Sequence, residues 1–146
     1  MDDTWLLSES KIISSYDYDK HRRLLEAARS HHGTGEDPVA LSALRTGALL
    51  TVFPDGHVVA QEKGMFSKRV EIVSQASYEN ISSLSTREKG VRGRDGLLIE
   101  ATDRNRVPLF ELSWGYGDDP LSPETGLAER ARLFRVISQL AGLEAA

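Results

Sequence analysis

The chain contains no cysteine. Disulfide bonds, thiolate nucleophiles and cysteine-ligated zinc are therefore excluded together. No stretch approaches the roughly 18 consecutive apolar residues that a membrane-spanning helix needs. The opening stretch MDDTWLLSESK has two early acids and no long apolar centre, so it does not read as a signal peptide. A soluble cytoplasmic protein without a transmembrane segment is the expectation. Catalytic motifs are missing as well. There is no GxSxG, no HExxH and no phosphate loop, and Gly90-x-x-Gly93 lacks the Lys-Ser/Thr and the helix that a phosphate loop requires. The chain is not expected to be an enzyme. Nor is there an excess of positive charge. The net charge of −4 argues against nucleic acid as a partner.

What is present is an ordinary globular mixture of 40% hydrophobic and 27% charged residues over 146 positions, enough for one domain with decoration. Charge is unevenly spread, with a mildly basic centre over residues 38–106 between acidic ends. Four histidines, His21, His31, His32 and His57, are the only imidazoles. His21 and His32 stand three helical turns apart and share a face, but this is not the i, i+3 or i, i+4 spacing, with carboxylates alongside, that marks a metal site. No metal and no cofactor is expected.

Helical spacing over Lys20–His32 places Leu24, Leu25, Ala28 and His31 on one side, with Asp19 as N-cap and Gly33 as terminator. Asp37-Pro38 has the order of a cap followed by an N1 proline, and predicts a second helix carrying Leu41 and Leu44 and stopping at Gly47. Residues 1–46 thus read as an arm and a helical hairpin. From Ala48 the period changes. Leu49–Phe53 and His57–Gln61 flank Pro54-Asp55-Gly56, a turn with a mechanism, and predict a β-hairpin. Arg69–Ser74, the run from Ile81 to Arg87, Leu97–Thr102 and Val107–Ser113 predict four more strands, the last with a bulge and with Pro108 at its start or on an edge. Ser122-Pro123-Glu124 opens a closing helix. Its apolar stripe, Leu127, Ala131, Phe134, Ile137 and Ala141, broadened by Leu133 and Leu140, is expected to plug the sheet's open end.

The stretches GALLTVFPDGHVVA, GMFSKRVEIV with SYENISSLS, GLLIEATDRNRVPLFEL and AERARLFRVISQLAG resemble, in that order, the opening hairpin, central pair, last hairpin and closing helix of bacterial pleckstrin-homology-like (PH/GRAM-type) domains. The resemblance spans about residues 47–142. It implies an α+β, mainly β fold: an antiparallel meander or barrel capped by a C-terminal amphipathic helix, with residues 1–46 as an N-terminal helical extension. Two departures stand out. The helix-like DPVALSALR occupies the place of the family's first strand, leaving Ile12-Ile13 as a possible source for it. The opening hairpin loop carries Asp55 instead of several basic residues, so the family's lipid site carries over onto no residue here.

Function is therefore expected in loops and flanking helices. In a meander, loops 62–68 and 89–96 leave the same end and bring together Lys63, Lys68, Arg69, Lys89, Arg92 and Arg94 among approachable glycines. Met65-Phe66 forms an apolar tip between lysines. Either it inserts into a partner or a membrane interface, or it folds back on the core. Trp114 and Tyr116 in WGYGDDP read as a cap beneath the closing helix or as a binding loop. The expected function is a non-catalytic interaction module for a protein partner, with self-association. The alternative is binding of an anionic lipid head group or phosphate ligand through the basic rim.

Overall fold

The computed structural model describes residues 18–90, 96–115 and 123–143. Helix α1 spans Tyr18–His32 and ends where Gly33 takes a left-handed φ of 72° while donating its amide to the Arg29 carbonyl. Strands β1 (Ala40–Ala43), β2 (Leu49–Phe53), β3 (Gly56–Lys63) and β4 (Arg69–Ser77) form one antiparallel sheet in chain order. Strands β5 (Ser83–Lys89), β6 (Gly96–Thr102) and β7 (Pro108–Trp114) form a second. Helix α2 spans Pro123–Leu140. No helix among the described residues is long and apolar enough to cross a membrane.

The fold is mainly β, as expected, with two corrections. Among the described residues seven strands make two sheets and not a closed barrel: β4 and β5 do not pair, and outside the ladders one backbone bond, Arg45 N–H to the Ser113 carbonyl at 2.9 Å, ties the first sheet to the second. The predicted second helix is instead β1, with Leu41 paired to Thr51 and Ala43 to Leu49. DPVALSALR itself therefore supplies the first strand among the described residues, paired with β2. Ile12-Ile13 lies outside the described residues.

The first sheet is covered on both faces. Leu41, Ala43, Leu49 and Ala60 meet Leu24 and Leu25 of α1, and Phe53 and Val58 meet Ala28. On the opposite face Ala40, Leu50, Val52 and Val59 join Ile99, Leu112 and Trp114 of the second sheet and Leu133 and Ile137 of α2 in the main core. The turn Pro54-Asp55 is two residues long, with Phe53 paired to Gly56. Gly56 is required there, because a Cβ would lie 2.1 Å from the Ala76 carbonyl oxygen of β4. The bulge predicted in the last strand is present. Ala101 faces Phe110 and Thr102 faces Pro108, leaving Leu109 unpaired, and Pro108 opens an edge strand.

Candidate functional site

Three surfaces carry unusual chemistry. The first is the β3–β4 hairpin end, which bears most of the predicted rim. Lys63, Lys68 and Arg69 are exposed, Lys63 lies 3.4 Å from Glu71, and Met65 and Phe66 are 87% and 100% exposed. The tip does not fold back on the core. Beneath it Arg23 of α1 donates to Glu62 at 2.8 Å, and this bond, helped by Lys68 and Lys20, holds the Glu62 carboxyl below its ordinary range. Lys89 is exposed at the end of β5 in the other sheet. Arg92 and Arg94 lie outside the described residues.

The second surface lies between α2 and β5. The predicted apolar stripe of α2 turns out to be two faces. Leu133 and Ile137 are fully buried in the core, and the same side carries buried Glu129, whereas Arg130 and Ser138, also buried, line the groove. Leu127 and Ala131 are instead exposed, Phe134 is half-buried, and with Thr86 and Leu143 they line a groove of about 450 Å³. Arg130 closes one side by donating to the Arg87 carbonyl at 3.3 Å and to Glu88 at 3.0 Å. Beside this groove runs β5, which among the described residues is an edge strand paired only with β6 and is exposed along most of its length.

The inner side of α2 is locked by polar groups that sequence reasoning missed. Ser42 of β1 donates to Glu129 at 2.8 Å and accepts from the Trp114 indole at 2.9 Å. Arg132 grips both Glu129 oxygens and donates to the Leu41 carbonyl. Trp114 is fully buried and caps the core beneath the helix; Tyr116 lies outside the described residues.

The third surface is at the opposite end of the first sheet, where the C-terminus of α1 meets the β2–β3 turn. His31, His32, Asp55 and Gln75 line an open groove of about 390 Å³. The His32 ring stacks on Phe53 with centroids 4.0 Å apart, and its Nε2 lies 3.0 Å from Asp55 Oδ1. His31 Nε2 is bonded to Gln75 Oε1. Below, buried His57 shares a hydrogen with the Tyr78 hydroxyl over 2.8 Å. Burial pulls the His57 pKa down to about 4 and pushes the Tyr78 phenol up. The Tyr78 amide fixes the turn by donating to the Asp55 carbonyl at 2.9 Å. His21 shares the buried side of α1 with Leu24, Leu25 and Ala28. Eleven residues of helix put it roughly 16 Å from His32, too far to share a ligand.

Comparison with protein-family models, with curated proteins and with solved structures finds no match to this chain.

Proposed function

We propose that the protein is a non-catalytic interaction module on a pleckstrin-homology-like scaffold, and that it receives an extended protein segment along β5 beside α2. Two antiparallel sheets of four and three strands followed by a C-terminal helix support the scaffold reading. The observation that carries the function is the second apolar face of α2. Leu127, Ala131 and Phe134 stand at i, i+4 and i+7 beside the outer edge of β5, which is unpaired among the described residues. An added strand would gain backbone hydrogen bonds from β5 and set alternate side chains against α2. The groove's chemistry calls for an apolar side chain at its centre, with an acidic neighbour towards Arg135 at its wall. A second copy of the chain is the other occupant of the same edge, and light scattering over a range of concentrations separates the two.

The test is selection of peptides from a random library on the immobilised protein, followed by titration into labelled protein. Selected peptides should shift backbone amides of residues 83–89 and 127–139 and lose at least about tenfold in affinity on Phe134→Glu, about 1.4 kcal/mol. Peptides that shift a different surface, or that bind the variant equally well, would remove this reading.

The exposed Phe66 favours a second reading, the hairpin tip as an anionic-membrane contact. Lys63, Lys68 and Arg69 would each add about 1 kcal/mol at an anionic surface while Met65 and Phe66 enter the interface. Sedimentation with phosphatidylserine vesicles, lost in high salt and in Phe66→Ala, is the expected signature. Equal sedimentation with neutral vesicles would discard it.

A further inference from the structure

The groove at the end of α1 is used by neither reading above. Three side chains converge there from separate places in the chain. His32 is the last residue of α1, Glu36 stands in the following loop, and Asp55 is in the β2–β3 turn. One donor atom from each lies within 4.8 Å of the other two. We propose that His32, Glu36 and Asp55 bind a single divalent transition-metal ion of the zinc class, with water completing its coordination.

The geometry of the His32–Asp55 approach carries this. Nε2 and Oδ1 are 3.0 Å apart, yet Nε2 has no aligned hydrogen bond although it is sealed from solvent. A simple ion pair would point the ring N–H at the carboxylate. Two ligands held by one metal at about 2.1 Å each are instead separated by about 3.0 to 3.4 Å, with their lone pairs directed at a point between them. The 3.0 Å spacing with off-axis alignment fits that arrangement.

The surroundings hold the ligands in place. Phe53 stacks within 4.0 Å of the His32 ring and fixes its plane. The Tyr78 amide anchors the Asp55 backbone, and Thr34 Oγ1 accepts from the Glu36 amide at 3.2 Å, shaping the loop that carries the third ligand. The carbonyl end of α1 presents the negative pole of its dipole to a cation. Glu36 and Asp55 are exposed, which leaves an entry path and room for water. One imidazole with two carboxylates suits zinc and its neighbours, whereas calcium and magnesium favour all-oxygen sets.

The experiment uses the full chain, free of any histidine tag and stripped with EDTA, titrated calorimetrically with zinc chloride. One zinc per chain should bind, and long-range ¹H–¹⁵N spectra of the imidazoles should show the His32 nitrogens shifting far more than those of His21, His31 or His57. His32→Gln, Glu36→Gln and Asp55→Asn should each weaken zinc at least about tenfold, about 1.4 kcal/mol. Circular dichroism in EDTA identifies any variant that has unfolded. For such a variant the imidazole spectrum of the wild type decides. No zinc binding up to 100-fold excess, or binding that moves other histidines and survives all three substitutions, overturns the site. Equal binding of calcium would overturn its chemical class.

Discussion

Glu129 is a carboxylate only 3% exposed, and a buried charge is costly unless its oxygens are matched. Both are. Arg132 takes Oε1 and Oε2, and Ser42 adds a bond to Oε2 while receiving the indole N–H of Trp114. Removing one hydroxyl therefore orphans a donor and weakens an acceptor at once. Ser42→Ala should cost about 2 kcal/mol in urea denaturation. A loss below a few tenths would mean that water replaces the hydroxyl. His57 makes a prediction in pH. Its folded pKa of about 4 lies below the ordinary 6.5 because burial disfavours the imidazolium. Above pH 6.5 neither folded nor unfolded chain holds the proton, and stability is complete. Between 6.5 and 4 the unfolded chain takes up a proton that the folded chain refuses, so stability falls as pH falls, by on the order of 3 kcal/mol from this group. His57→Gln should flatten the pH dependence in that window relative to the wild type, both measured in EDTA. Identical slopes would show that the imidazole stays neutral or relaxes into solvent at no cost.

At the scale of elements, α2 shows how one helix serves two surfaces. Leu133 and Phe134 are adjacent in sequence and about 100° apart around the axis. Leu133 is buried to the last atom, and Phe134 lies half-open in the groove. Leu133→Ala should lose about 3 kcal/mol of stability. Phe134→Ala should lose far less and should abolish peptide binding. Equal destabilisation by the two would mean that Phe134 belongs to the core. The apolar positions of this helix were legible in the sequence, but their division between faces was not. The sequence places Phe134 mid-stripe, because it cannot show that Leu127, Ala131 and Phe134 line the groove while buried Glu129 shares the core side with Leu133 and Ile137. Strands β2 to β7 were legible because turn residues punctuate them and several alternate. Strand β1 was not, for a physical reason. All four of its residues are buried, since α1 covers one face of the sheet and the main core the other, so the two-residue period vanishes. Asp37-Pro38 then imitates a helix start. The meeting of His32 with Asp55 was likewise hidden, because it depends on how α1 lies across the sheet. His32 and Glu36 have helical spacing, but Gly33 and Gly35, both at positive φ, break the helix between them.

At the scale of the molecule, the first sheet is a middle layer. Helix α1 covers one face, and the second sheet with α2 covers the other. This arrangement makes residues 18–46 part of the fold and not an appendage to it. A fragment beginning at residue 47 would lack β1 and α1 together. It would bare Leu49, Phe53, Val58 and Ala60, all at most 2% exposed in the intact protein. It would also open the edge of β2 and remove Ser42 from beneath Trp114 and Glu129. Fully exposing two or three large apolar side chains costs about 1.5–3 kcal/mol each, comparable to the whole stability of a small domain. The fragment should therefore bind a hydrophobic dye, aggregate and show no cooperative melting. In the full chain, loss of helical circular dichroism and loss of Trp114 burial should follow one transition, because α1 cannot leave without exposing the sheet on which the core is built. A soluble fragment with a sharp transition of its own would show that residues 47–142 fold independently and that α1 and β1 are only docked upon them.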